Sequence, residues 1–303
     1  MLYPFPRFLL SFRIIKYIVK NYINRSAILI LLFIFCNLGA DAKNVIKVLT
    51  IGNSFSEDAV ENYLYDLARA AGDSLVIGNL YIGGCSLETH SKNAASNAPN
   101  YSYRKIVGGK KTVTPKQTLA FVIKDEPWDY ISFQQASPYS GQYESYFPHL
   151  PNLMDYVAAH ASNPKVKYIL HRTWAYAQNS PHKGFVNYQN SQTQMFSSIV
   201  KATNEVAEKV GRFKMLIPAG TAIQNARTSV IGDSLTRDGY HLQLNYGRYT
   251  AACTWLEALT GKNPVGNSYI PETVTAEQAK IAQHAAHYAI RKPDKVTSLA
   301  KLK

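Results

Sequence analysis

From Val45 onward the chain alternates between short apolar runs and stretches with helical spacing, and nothing else in it constrains the fold as tightly. "VIKVLTI" (45–51), "SLVIGNLYI" (74–82), "YISF" (130–133), "VKYIL" (166–170) and "FKMLIPA" (213–219) read as strands. Between and after them, helical patterns are expected at about 60–72, where Val60, Leu64, Leu67 and Ala68 keep spacing until Gly72, and at 116–124, 147–161, 188–210, 246–260 and 275–290. Strand–helix alternation repeated five times predicts a parallel sheet with helices on both faces, an α/β three-layer arrangement. One stretch interrupts the rhythm. "YSYRKIVGGKKTVTP" (101–115) is two alternating runs around Gly108-Gly109, a β-hairpin insertion placed where it could shape a substrate entrance.

The first 42 residues follow a different logic. Five basic residues and no acidic one occupy Met1–Arg25, an apolar run of 14 residues follows (Ala27–Ala40), and Ala40-Asp41-Ala42 closes it. The run is shorter than the roughly 20 residues that span a bilayer, and basic region, apolar region and A-x-A together predict a secretory signal peptide over 1–42, with a single domain over 43–303. Cys36 sits behind Phe35, where lipid attachment would need a small residue. The expected location is therefore periplasmic or extracellular, with the membrane met only through the signal peptide during export. The chain is basic, +13 overall, which suits acidic polysaccharide or headgroups, but export argues against nucleic acid as a partner. Only Cys85 and Cys253 remain after the leader, too few for a disulfide framework.

A parallel α/β sheet keeps its chemistry at the carboxyl ends of its strands. In "VLTIGNSFSEDAVENYL", Gly52 follows the first strand, Ser54 occupies the turn, and Glu57 and Asp58 stand where a helix opens. Ser54 is thus the first nucleophile candidate, although Ser54 or Ser56 in this position could equally cap the helix. "SVIGDSLTRDGYHLQLN" (229–245) offers a rival, Ser234. The residues after Ser234 read as turn, so the four letters Gly232-Asp233-Ser234-Leu235 are taken as coincidence. Asp238 and His241 matter more. Three residues apart in a turn, a carboxylate can hold one imidazole nitrogen and leave the other to accept a hydroxyl proton.

Six stretches, "IGNSFSEDA" (51–59), "YIGGCSLETH" (81–90), "WDYISFQQAS" (128–137), "HRTWAYA" (171–177), "IPAGTAIQNAR" (217–227) and "TRDGYHLQLNYGRYTAACTW" (236–255), make the chain resemble the SGNH-type hydrolases, also called GDSL esterases. It resembles most closely the DUF4886 branch of exported bacterial proteins. The resemblance implies a flavodoxin-like α/β/α sandwich with a five-stranded parallel sheet. It also implies Ser54 as nucleophile, Asp238 and His241 as its partners, and an oxyanion hole from the N–H of Ser54, the N–H of Gly84 (or Gly83) and a side-chain amide. Where the family has asparagine, this chain has Gln134 and Gln135, and either could stand in. His171, Arg172 and Trp174 end the fourth strand; Gln135, Arg172 and Trp174 are expected to contact substrate or simply pack. The implied activity is hydrolysis of small acyl esters, O-acetyl groups on carbohydrate first among them, without a cofactor. A non-catalytic glycan-binding protein and a lipid or thioester hydrolase are the alternatives. A mechanism resting on neutral His241 should lose activity below about pH 6–7. His284 and His287, three apart on one helix, have a metal-like spacing but no third ligand in the sequence nearby, and no metal is expected.

Overall fold

The computed structural model describes residues 45–302, which belong to one compact unit. The expected signal peptide lies outside these residues. Five parallel strands form where the apolar runs fall: β1 (Val45–Gly52), β2 (Ser74–Tyr81), β5 (Tyr130–Phe133), β6 (Lys167–His171) and β7 (Phe213–Ile217). Their order across the sheet, β2-β1-β5-β6-β7, puts the first strand inside, between β2 and β5. This is the flavodoxin-like order, whose reversal at β1 opens a crevice beyond the strand ends.

Side chains alternate across β1, so Val48 joins one core and Leu49 the other. On one face Phe55, Leu64, Leu67, Trp174 and Trp255 pack under α1 (Ser54–Val60), α2 (Leu64–Ala70), α7 (Ala219–Arg227), α8 (Tyr246–Thr260) and α9 (Ala276–Arg291). On the other, Leu87, Leu119, Val122, Leu150, Leu153 and Phe133 pack under α3 (Leu87–Ser96), α4 (Leu119–Asp125) and α5 (His149–His160). The long α6 (Gln192–Val210) contributes Met195 to the first core and Val206 to the second. Each fully buried large apolar side chain stabilises by about 1.5–3 kcal/mol, and the two cores clamp the sheet between them.

The hairpin, β3 (Tyr101–Val107) and β4 (Lys110–Gln117), turns on Gly108 and Gly109, both at positive φ (+59° and +78°) as a two-residue hairpin loop requires. It contributes no residue to the cleft around Ser54. β3 pairs antiparallel with β2, so the sheet has seven strands and the hairpin is its edge. Ion pairs from Arg104 and Lys111 to Glu61, and from Lys105 to Asp125 and Glu126, hold it there. The exposed β4 carries Lys110, Lys111 and Pro115, residues that discourage edge-to-edge pairing.

The helix expected at 60–72 is the shorter α2, and a separate helix, α1, precedes it. α1 already starts at Ser54 and stops at Val60, and Asn62 Nδ2 donates to the Glu57 carbonyl (3.2 Å), competing for the last-turn acceptor. The helix expected from 188 starts at Gln192, because residues 183–188 form a 3-10 turn that ends in left-handed Gln189. Helices α3 and α7 were not anticipated.

Candidate active site

Ser54 is the first residue of α1, on the turn leaving the carboxyl end of β1. The preceding Asn53 caps the helix: its Oδ1 accepts the Phe55 N–H (3.0 Å), and its Nδ2 donates to the Cys85 carbonyl (3.0 Å). One side chain thereby ties the Ser54 turn to the turn after β2. First-turn N–H groups have no acceptor within their own helix, and neither the Ser54 N–H nor the Gly84 N–H has a protein partner among the described residues. Gly84 sits at φ +64°, a conformation that strains any residue with a Cβ.

Ser54 Oγ lies 2.8 Å from His241 Nε2, and His241 Nδ1 lies 2.6 Å from Asp238 Oδ2. The carboxylate accepts the Nδ1 proton, so Nε2 carries the lone pair and accepts from the serine hydroxyl. Asp238 Oδ1 also accepts the backbone N–H groups of Tyr240 (3.1 Å) and His241 (2.8 Å). Burial would raise the Asp238 carboxyl, but these bonds from His241 and Tyr240 outweigh it and hold the group below the usual carboxylate range. The turn between them needs glycine. Gly239 is at φ +91°, and a Cβ there would lie 2.8 Å from the Ser180 Cα.

A second set of contacts fixes the histidine loop to α1. Asp58 of α1, fully buried, accepts the Leu242 N–H (2.8 Å), pairs with Arg248 (2.7 Å) and pairs with Arg237 (3.2 Å). Phe55 stacks on Trp174 (centroids 4.4 Å apart), and Trp174 Nε1 donates to the Tyr240 carbonyl (2.8 Å). Both His241 neighbours, Leu242 and Tyr240, are therefore anchored from below.

The cleft above Ser54 has a volume of about 280 Å³, with walls from Gly84, Ala136–Pro138, His182, Tyr240 and His241. His182 Nδ1 accepts the Gly184 N–H (3.0 Å), so the neutral ring carries its proton on Nε2. Burial, then the neighbouring His241, push His182 below the ordinary imidazole range, against a smaller opposing pull from Asp238.

Several sequence expectations find other positions. Gln134 is buried beneath the turn: its Nε2 donates to Asn53 Oδ1 (2.8 Å), and its Oε1 faces His171 Nδ1 (2.8 Å). Backbone partners fix the Asn53 amide, Asn53 fixes Gln134, and Gln134 in turn puts the His171 proton on Nδ1. Gln134 is thus a strut under Asn53 and not a donor into the cleft. Gln135 is a loop staple: its Oε1 accepts from Leu87 N and Ala136 N, and its Nε2 donates to Ser145. Arg172 is buried, bound to Thr203, Asn204, Pro293 and Asp294, so it packs away from the cleft. Trp174 is fully buried and supports the histidine loop. Ser234 is exposed, its carbonyl accepts from Tyr246 (2.8 Å), and it lines a different groove. Cys85 and Cys253 are both free and buried, and burial pushes the Cys85 thiol up to about 12. His287 pairs with Glu257 (2.9 Å), and no metal-holding group of three or more such ligands exists among the described residues.

Sequence reading missed Asn53, Asp58 as a loop anchor, and His182. Asn53 directly before a strand-end serine was a readable signal. Asp58 reaches partners some 180 residues away, which no local pattern carries.

A flavodoxin-like sheet with a serine at the end of its first strand, hydrogen-bonded to a histidine–aspartate pair from a C-terminal loop, is the arrangement of the SGNH-hydrolase fold. Residues 47–289 match the model of a domain of unknown function, DUF4886, and the chain belongs to that family. It is similar to the crystal structure of a DUF4886 family protein from Bacteroides uniformis, with 54% identity over 86% of this chain and 100% of that one and a TM-score of 0.84. More distant are a protein from Slackia heliotrinireducens named as a candidate SGNH hydrolase (20% identity, 71% and 98% covered, TM-score 0.47) and an acetyl xylan esterase from Geobacillus stearothermophilus (12% identity, 75% and 97% covered, TM-score 0.44). No curated protein sequence matches the chain.

Proposed function

We propose that this protein is an exported serine esterase that removes small acyl groups, O-acetyl first, from carbohydrate. The observation that carries this reading is the unbroken hydrogen-bond chain from Ser54 Oγ through His241 to Asp238, beside two backbone N–H groups with no partner. Ser54 Oγ attacks the ester carbonyl carbon while His241 Nε2 takes the hydroxyl proton. The developing oxyanion is met by the N–H groups of Ser54 and Gly84. His241 then returns the proton to the leaving alkoxide, an acyl-Ser54 remains, and water activated by His241 hydrolyses it. Asp238 holds the tautomer and stabilises the imidazolium. None of these steps needs a cofactor.

The cleft volume, about 280 Å³, supports a short acyl group, because it falls below the roughly 300–1,000 Å³ of pockets that take drug-sized ligands. A long lipid acyl chain would have no channel there. Export rests on the leader sequence. Hydrolysis of p-nitrophenyl acetate by the protein, beside Ser54→Ala and Ser234→Ala, tests the assignment. Activity should vanish in Ser54→Ala and persist in Ser234→Ala; an active Ser54→Ala protein would overturn it.

A further inference from the structure

A second groove, about 390 Å³, lies on the same two loops as the cleft. The loop after β2 gives Gly84 to the cleft and Ser86 to the groove, and the first turn of α3 adds Glu88. The loop after β5 gives Ala136–Pro138 to the cleft and Gln135 and Tyr139 to the groove. A substrate whose ester lies at Ser54 therefore has this groove as the next surface for the rest of the molecule.

Its chemistry is specific. Tyr139 is 44% exposed, although tyrosine buries readily, and Phe147 adds a second aromatic side chain to the lining. Tyr139, Gln142, Glu144 and His149 all line the groove, and their side-chain polar atoms have no hydrogen-bond partner within the protein among the described residues. Beneath them the floor is rigid: Gln135, 2% exposed, bonds to Leu87, Ala136 and Ser145 at 2.8–3.1 Å. Aromatic faces beside unsatisfied carboxylate, amide and imidazole groups suit a ligand with apolar ring faces and many hydroxyls. The charge narrows the class. Glu144 lines the groove with no ion-pair partner among the described residues, Glu88 is paired with Lys92 (2.6 Å), and no lysine or arginine lines the groove itself, on a chain whose net charge is +13. An anionic ligand would meet repulsion here even though the rest of the surface attracts it.

We infer that this groove is the subsite for the sugar portion of the substrate, and that it takes a neutral pyranoside chain in preference to a uronate chain. The inference rests on the esterase reading for its orientation but not for its binding. Calorimetry on Ser54→Ala protein tests it, with partly O-acetylated tetraoses of glucose, xylose and mannose and with partly O-acetylated tetragalacturonate as probes. At least one neutral probe should bind, and Tyr139→Ala or Gln142→Ala added to the Ser54→Ala background should raise its Kd tenfold or more. Glu144→Lys should shift preference toward tetragalacturonate. No neutral probe binding, or binding unchanged by both Tyr139→Ala and Gln142→Ala, would overturn the inference, as would tighter binding of the galacturonate by the Ser54→Ala protein. The hydrolysis of p-nitrophenyl acetate decides the esterase reading separately, since that ester carries no sugar portion.

Discussion

Two buried histidines should make this protein acid-labile, and their effect can be calculated. His90 and His171 are 0% and 2% exposed, have no carboxylate beside them, and leave Nε2 unpartnered. Burial pushes each down to about 3 from an ordinary value of 6.5. A histidine held neutral in the fold but free to protonate when unfolded lets the unfolded chain bind protons that the native state refuses. Its contribution is intact above about pH 6.5 and is lost as pH falls toward about 3. At about 1.36 kcal/mol per unit, going from pH 7.5 to pH 5 removes about 2 kcal/mol per histidine, or about 4 kcal/mol for the pair. That is a large part of a typical stability of about 5–15 kcal/mol. Asp125, Glu126 and Asp238, all held below the usual carboxylate range, lose their contributions only at lower pH. Glu257, raised by burial, works in the opposite direction. Urea unfolding at pH 7.5 and pH 5, compared for the parent, His90→Gln and His171→Gln, isolates the terms. Glutamine keeps an amide N–H for Gln134 or Tyr101, and each variant should lose about 2 kcal/mol less than the parent over that interval. Equal losses in parent and variants would refute the argument.

Asp58→Asn should loosen the histidine loop. Removing one partner of a buried ion pair costs about 3–5 kcal/mol, and the low end is expected because Arg237 and Arg248 keep side-chain exposures of 31% and 14%. Denaturant melts should show that loss together with a lower kcat, and a fully active variant of unchanged stability would sink the anchoring role. Asp238→Asn should leave the fold intact but lower kcat by about 10⁴, the size expected when histidine is left in the wrong tautomer; a loss under tenfold would speak against the triad. Gly239→Ala combines positive φ with a Cβ 2.8 Å from the Ser180 Cα, so it should destabilise the loop and reduce activity more than stability alone explains. Gln134→Leu strips the strut under Asn53 and leaves buried polar atoms unpaired, at about 1–3 kcal/mol. A kcat reduction with KM nearly unchanged, read on p-nitrophenyl acetate, would mark a positioning effect; a pure stability loss would not.

The strand runs and the parallel sheet were legible in the sequence because they depend on local order, and Ser54, Asp238 and His241 stood out as candidates once the family resemblance joined them. Period-two apolar runs report burial, and a strand-end serine or an aspartate three residues before a histidine needs no distant partner to be noticed. The two glutamines show where that reading ended. Gln134 and Gln135 are adjacent and chemically identical, yet one bonds beneath the Ser54 turn and the other staples Leu87 to Ser145. Which face each amide meets is set by packing of β5 between β1 and β6, not by composition. Asp58 is the same lesson at longer range, since the loop it anchors lies far along the chain. The sequence by itself determined the layers, through hydrophobic periodicity, and pointed to Ser54, Asp238 and His241 as candidates, through residue chemistry and a family resemblance. Only the tertiary structure decided which polar side chains open into the cleft and which hold it rigid, because a buried amide is committed by whichever unsatisfied partner the fold brings within about 3 Å.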